Sequence, residues 1–476
     1  MFQTIANAWK IKDLRNKILF TLAILFVYRI GSNLFVPFIL RDRVLGMAGS
    51  NNAFGIFNVL TGGAYERMTL FALGVSPYIT ASIIIQLLTV AIPALERLSK
   101  MGEEGKNKIN TITRVITLVI SVIMSIGYYL IIKDSNLLST TNTTGWRAWF
   151  YAIVIIACFV AGSSLVMWLA EKINERGIGN GISLILFANI VSTLPNLVVT
   201  MGAYMASKPS TVKATGITWA NGFNWAGLLI SVVTILVLLA LVWFIIFITD
   251  SERRIPVQYA KKVVGRKMYG GQNSNLPIKL NMTGVMPIIF ANSIMSIPSL
   301  IAQFFVNNQN ENVRNVANFF SGTGWPYVII QFLLVLAFAY FYVAISFNPI
   351  EVSGNLQKNG GSIPGIRPGK ATSDYISKVL SRITLIGALA LSIISILPHV
   401  ITLILDYIPI CWAPNGPAGD IYSSYVNFSI VDVYGSIFTP IAFAGTSIII
   451  AVGVILETIR EIEAQMTMRH YKGFLE

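Results

Sequence analysis

The stretch FGIFNVLTGGAYERMTLFALGVSPYITASIIIQLL, Phe54 to Leu88, decides how the rest of the chain is read. It is apolar enough for a membrane yet interrupted where a simple spanning helix would not be. Gly62 and Gly63 open it, Glu66 and Arg67 lie inside it, and Gly74 with Pro77 divides it. Gly62 to Leu73 as a helix would measure ~18 Å, well short of the ~30 Å hydrocarbon core. A second, sixteen-residue helix from Pro77 to Ile92 ends at Pro93, with charges beyond. A charged half-helix is tolerated at membrane depth only beside protein or a watery cavity. The spacing therefore predicts a short re-entrant half-helix, about 62–74, leading into a short spanning helix, with an aqueous cavity beside them. One kinked span with Glu66 and Arg67 just outside the membrane fits the same residues.

Composition extends the membrane reading to the whole chain. Of 476 residues 54% are hydrophobic and only 12% charged, and the mean hydropathy is +0.68. A soluble globular domain of this length is excluded. The first apolar run, Ile18 to Phe38, is too long for a signal-peptide core and lacks a small-x-small site, so it reads as a retained span. Further runs lie at about Val115–Ile132, Phe150–Leu169, Ile182–Met201, Trp225–Ile248, Val285–Phe305, Pro326–Phe347, Ile383–Leu397 and Phe438–Leu456. Counting the broken element once predicts an all-α membrane protein of ten transmembrane helices.

With both termini in the cytosol, the inner segments carry 26 of the 35 basic residues and 14 of the 21 acidic ones. The positive-inside rule selects that topology. The net charge of +14 then reflects orientation first. Ten spans divide into residues 1–203 and 204–476, two halves of five that begin on opposite sides, the arrangement of an inverted repeat with its site at the interface.

Two inner loops stand out. The first, about 250–281, holds Arg253, Arg254, Lys261, Lys262, Arg266, Lys267 and Lys279 among aromatic and β-branched residues, a hairpin pattern. The second, about 348–377, contains GGSIPGIRPGKATSDYI, whose glycines and prolines set a turn-rich tip presenting Arg367. A solvated loop explains the sign of this charge but not the length or the hairpin pattern.

Other chemistry lacks material. No phosphate-cradling GxxxxGK[ST] run is present, and His399 and His470 stand apart, so neither a histidine metal centre nor a catalytic triad can be assembled. Two cysteines, Cys158 and Cys411, make no disulfide framework. Ionisable groups within the apolar runs reduce to Arg29, Glu66 and Arg67. Ion-coupled carriers place more such groups deep in their spans. The chain therefore reads as a pore driven from elsewhere, with no enzymatic site, cofactor or metal. A secondary transporter with broken helices and a non-conducting assembly scaffold remain alternatives. An aliphatic constriction would favour the pore, a polar midplane site the transporter.

Five segments carry a family resemblance: GGAYERMTLFALGVSPYITASIIIQLL (Gly62–Leu88), ERGIGNGIS (Glu175–Ser183), SERRIPVQYAKK (Ser251–Lys262), LPIKLNMTGVMPIIFANSI (Leu276–Ile294) and PGIRPGKAT (Pro364–Thr372). In this order they resemble the SecY family, from Ile18 to the cytosolic tail. The resemblance implies the central subunit of a protein-conducting channel in the bacterial plasma membrane. Such a channel passes unfolded, signal-bearing preproteins outward and releases hydrophobic segments sideways into lipid. It implies SecE and SecG as membrane partners, and the SecA motor ATPase or a ribosome on the inner side. It further implies a plug containing Gly62, Gly63, Glu66, Arg67 and Gly74. A pore ring of Ile79, Ile83, Leu186, Ile190, Ile289 and Ile450 is expected at mid-membrane. The second half of span 2 and span 7 would form a lateral gate, with Ser82, Gln86, Asn292 and Ser293 near its seam. Arg253, Arg254 and Arg367 are the expected docking residues. The sequence departs from the family pattern in a long acidic outer loop, Ile408 to Val433, bearing Cys411 and Trp412.

Overall fold

The computed structural model describes residues 7–40, 61–65, 67–134, 137–138, 146–206, 225–259, 262–264, 267–269, 273–282, 284–303, 319, 325–407 and 447–467. Helix occupies part of every apolar run named above. In chain order the helices before the first inner loop are α1 (Lys12–Gly31), α2 (Ser76–Ala91), α3 (Pro93–Lys100), α4 (Glu103–Asp134), α5 (Trp146–Arg176), α6 (Gly181–Ala206) and α7 (Trp225–Asp250). After it come α8 (Met286–Gln303), α9 (Trp325–Ser346), α10 (Pro349–Lys358), α11 (Lys370–Tyr407) and α12, residues 447–467. Among the described residues, Glu103–Lys133, Trp146–Arg176, Trp325–Lys358 and Lys370–Leu397 are each long and apolar enough alone to cross a membrane. The outer loop 408–433 lies outside the described residues, as does the start of the last apolar run.

The α2–α3 joint follows from one proline. Pro93 disfavours helical geometry at the residue before it, and Ile92 is extended at φ −107 and ψ 113. The two helices consequently meet at a bend of 102°. On the charged side of the bend, Lys100 reaches Glu96 at 2.6 Å across one exposed helical turn, a contact of a few tenths of a kcal/mol.

The helices fall into two packed sets. On one side α1 packs on α5 and α6, α2 on α4, and α5 on both α4 and α6. On the other, α9 packs on α8 and α11, and α11 also touches α7 and α8. The sets meet where α2 lies against α8, and where α6 lies against α7. Helix α6 runs to Ala206, past the residue 203 boundary expected between the halves.

One expectation changes. The described residues from Gly62 to Gly74 form turns, not the half-helix that the segment's length suggests. Gly62, Gly63, Met68 and Gly74 all take positive φ, at 64°, 85°, 52° and 53°, and each left-handed residue interrupts a right-handed helix. The segment instead pairs briefly with the chain leaving α1. The Leu70 amide donates to the Leu34 carbonyl at 2.8 Å, and Phe35 faces Thr69 in an antiparallel bridge.

The first inner loop is a β-hairpin, as its pattern predicts. Strand β1 (Glu252–Tyr259) pairs antiparallel with β4 (Asn273–Lys279), from Glu252 opposite Lys279 to Gln258 opposite Asn273. Short strands β2 (Lys262–Val264) and β3 (Lys267–Tyr269) pair nearer the tip. The second inner loop joins the same sheet, because β5 (Gly361–Ser362) pairs with the free edge of β1 to give the order β4-β1-β5. Ile255, Val257 and Ile278 of the hairpin are buried with Val343, Ile363, Ile376 and Leu380. This small core anchors the sheet on α9 and α11.

Candidate functional site

Four helices bring the expected ring residues together. Ile79 and Ile83 lie one turn apart on α2, and Leu186 and Ile190 one turn apart on α6, so each pair shares a helix face. Ile289 comes from α8 and Ile450 from α12. All six are 1% to 6% exposed and belong to one continuous apolar cluster. That cluster draws on both helix sets. It also takes in Phe71 and Val75 of the turn segment, so the segment and the expected constriction share one apolar core. Aliphatic groups form no hydrogen bonds with a passing chain and oppose the entry of hydrated ions.

The turn segment is seated by polar and aromatic contacts. The Arg29 guanidinium at the end of α1 donates to the Gly62 carbonyl at 3.2 Å. Only glycine fits at residue 62, because a Cβ there would lie 2.7 Å from Ser192 Oγ and 3.0 Å from Asn189 Oδ1, on backbone already at φ 64°. Tyr65 stacks on Tyr128 of α4 with ring centroids 4.4 Å apart, and the Tyr128 hydroxyl donates to the Tyr65 carbonyl. Phe71 stacks on Tyr28 of α1 at 5.4 Å. The Leu70 carbonyl approaches α5 so closely that a Cβ on Gly162 would stand 1.9 Å from it. Arg67 is exposed and donates to Asn33 Oδ1 at 3.3 Å. Glu66 lies outside the described residues.

Ser82 and Gln86 lie on α2, and Asn292 and Ser293 on α8, two helices in contact, but Ser82, Gln86 and Asn292 bond within their own helix sets. Gln86 Nε2 donates to Ser82 Oγ at 3.3 Å along α2. Asn292 Oδ1 accepts from Gln331 Nε2 of α9 at 3.1 Å, and Ser293 Oγ donates to the Ile289 carbonyl at 2.8 Å. Gln331 escapes a sequence survey that counts only ionisable groups. Its signal was a lone amide in the apolar run Pro326–Phe347.

On the inner side, Arg253, Arg254 and Arg367 are all exposed. Arg254 is held to Glu252 at 2.6 Å, with both side chains open to solvent. The Arg367 tip is fixed from behind. Thr372 Oγ1 donates to the Arg367 carbonyl at 2.8 Å, and Ser353 Oγ of α10 donates to the Gly369 carbonyl at 2.7 Å. Gly365 and Gly369 on either side take φ of 81° and 100°, which glycine accepts without a side-chain penalty. At the hairpin base, partial burial lowers the Lys279 pKa and nearby Arg460 lowers it further. Arg460 bonds Asp250 at 2.5 Å, joining the end of α7 to α12. The β5 edge that joins the loop bearing Arg367 to the far end of the strand bearing Arg253 and Arg254 was not foreseen, since two residues carry no strand pattern.

Comparison with known proteins agrees with this architecture. The chain is 40% identical to a protein translocase subunit SecY of Streptomyces coelicolor over 483 aligned residues, covering 100% of both chains. Its fold matches a solved protein-conducting channel with a TM-score of 0.57 at 14% identity, covering 94% of this chain and 92% of the other. It also matches Sec61 in the canine ribosome–channel complex from the endoplasmic reticulum, with a TM-score of 0.54 at 14% identity over the same shares of the two chains. The sequence model of the SecY family matches residues 69–459, and this multi-pass membrane protein belongs to that family.

Proposed function

We propose that the chain forms the channel of a protein translocase, closed at rest by the aliphatic ring with the turn segment seated against it. The observation that carries this reading is the single buried cluster in which Ile79, Ile83, Leu186, Ile190, Ile289 and Ile450 meet Phe71 and Val75. An aliphatic constriction suits a polypeptide, whose side chains vary too widely for a fixed polar site. Unfolded secretory chains enter from the cytosolic side, and apolar segments leave for lipid through the α2–α8 seam. The two halves, 1–203 and 204–476, hinge around that path.

The drive comes from outside the chain, with no catalytic centre, metal or cofactor of its own. The strand and loop bearing Arg253, Arg254 and Arg367 dock the SecA motor or a ribosome, and SecE and SecG pack on the lipid-facing sides. Membership of a family with bacterial relatives, together with the charge bias, supports a place in the bacterial plasma membrane with both termini cytosolic. The test is a stalled secretory chain in reconstituted vesicles holding the channel with single cysteines at the six ring positions. Crosslinks from the passenger to those cysteines, and none to lipid-facing cysteines at Leu239 or Trp243, are expected. The opposite pattern overturns the reading.

A further inference from the structure

One buried side chain ties the seam helix to its own half. Gln331 lies inside the apolar run of α9 and is 1% exposed. An amide taken into an apolar interior costs several kcal/mol if left unpaired, about 2–7 by the reference used. Gln331 directs both amide hydrogens away from its own helix. Nε2 stands 3.1 Å from Asn292 Oδ1 on α8 and 3.3 Å from Ser395 Oγ on α11. Asn292 is 6% exposed and Ser395 fully buried. Oε1, by contrast, is buried and has no hydrogen-bond partner among the described residues. The pairing of this side chain is therefore one-sided, and that side bridges three helices.

The position of Asn292 gives the bridge its consequence. It follows Ile289 of the apolar ring by three residues, less than one helical turn. Helix α8 is also the member of its set that lies against α2. The bonds of Ser82, Gln86 and Asn292 all stay on their own sides of that contact. What restrains α8 is thus its attachment to α9 and α11, more than any bond from these three residues to α2.

We propose that Gln331 is a positioning residue for lateral release. It fastens α8 to α9 and α11, so that the seam opens only when the three helices move together. The idea rests on the α2–α8 seam being the side exit. Without the amide, α8 can move alone, and passengers of lower hydrophobicity reach lipid. Interhelical bonds in membranes are individually modest, so each bond lost shifts the lipid-to-pore partition of a passenger segment by about threefold.

The experiment uses the full-length channel in proteoliposomes with a motor and ATP, and passengers carrying segments of graded hydrophobicity. A photoreactive residue at position 82 on α2 reports passage through the seam, and lipid partition reports the threshold. Gln331→Leu should lower the threshold, Ser395→Ala should lower it by less, and in an Asn292→Leu background Gln331→Leu should add only the effect of losing the Ser395 bond. Thermal unfolding separates a packing role, which would lower the melting temperature and leave the threshold unmoved. Should Gln331→Leu fail to insert, Ser395→Ala alone carries the test. Passengers that crosslink at residue 82 with a threshold unchanged in Gln331→Leu and Ser395→Ala would overturn the bridge and leave the side exit standing. Passengers that reach lipid without ever crosslinking at residue 82 would overturn both.

Discussion

The Arg29 guanidinium donates to the carbonyl of Gly62 at 3.2 Å, joining the end of the first helix to the start of the turn segment proposed as the plug. A hydrogen bond from a charged donor contributes about 1.5–3 kcal/mol when buried. Arg29 is only partly covered, and solvent screening brings that nearer 1 kcal/mol. Arg29→Gln should therefore raise the unseated fraction of the plug by about fivefold, read as increased ion leak through vesicles without a passenger. Gly62→Ala should leak more, since its Cβ meets Ser192 Oγ at 2.7 Å and its φ of 64° is strained for alanine. Wild-type leak in both variants would show that this bond does not hold the plug.

The aromatic side of the plug allows a separate measurement. Tyr128→Phe keeps the ring stack on Tyr65 but removes the donor to its carbonyl. The Tyr65 carbonyl keeps the Met68 amide as a donor at 3.0 Å, so the change removes one hydrogen bond, about 0.5–1.5 kcal/mol. The expected result is a leakier channel that accepts defective signal sequences, with normal insertion. Deleting Tyr65 to Leu70 should exaggerate the same phenotype in a channel that still assembles. Failure of the deletion to assemble would favour the single kinked span.

How much of this was readable from residues alone depended on whether the signal was local. The bend at Ile92 was legible because proline acts on its immediate neighbour. The hairpin from Glu252 to Lys279 was legible because alternation repeats every two residues. The plug's backbone was not, since an apolar run with two glycines is compatible with a helix until its left-handed residues are known. Met68 at φ 52° has no sequence signature of that kind. The pairing of Gly361 with Tyr259 and the bridge from Gln331 to Asn292 join residues far apart in the chain. Neither is written in local periodicity. The six candidate ring residues fall in one large apolar cluster, while spacing alone offered only two helix faces.

The apolar cluster should tolerate shape changes better than polarity. Ile83→Val removes one methylene and should cost about 0.5–1.5 kcal/mol with unchanged conductance. Ile83→Ser with Ile190→Ser places two hydroxyls among Ile79, Leu186 and Ile450, where they can hold water. Single-channel recording should then show ion currents in the absence of a passenger. Silent double-serine channels, inserted at wild-type levels, would count against a constriction at these residues.

The last prediction concerns Arg367, where fixed backbone and exposed charge meet. Topology alone asks only for positive charge at this loop, so a purely electrostatic role makes Arg367→Lys equivalent to wild type. The loop is more ordered than such a role requires. Thr372 and Ser353 bond the carbonyls of Arg367 and Gly369, and Ile363 and Ile366 pack into the core beneath the sheet. A tip held in this way docks with little ordering cost, and guanidinium engages a carboxylate or phosphate through a planar fork that lysine lacks. Arg367→Lys should therefore be impaired, and Arg367→Glu nearly inactive, in export of a purified precursor into vesicles with SecA and ATP. Thr372→Val keeps the charge but frees the Arg367 carbonyl, and should weaken motor-driven export by several-fold without altering membrane insertion. Lysine and valine variants that both match wild type would reduce the loop to a generic positive surface. A glutamate variant with full activity would remove Arg367 from the docking face.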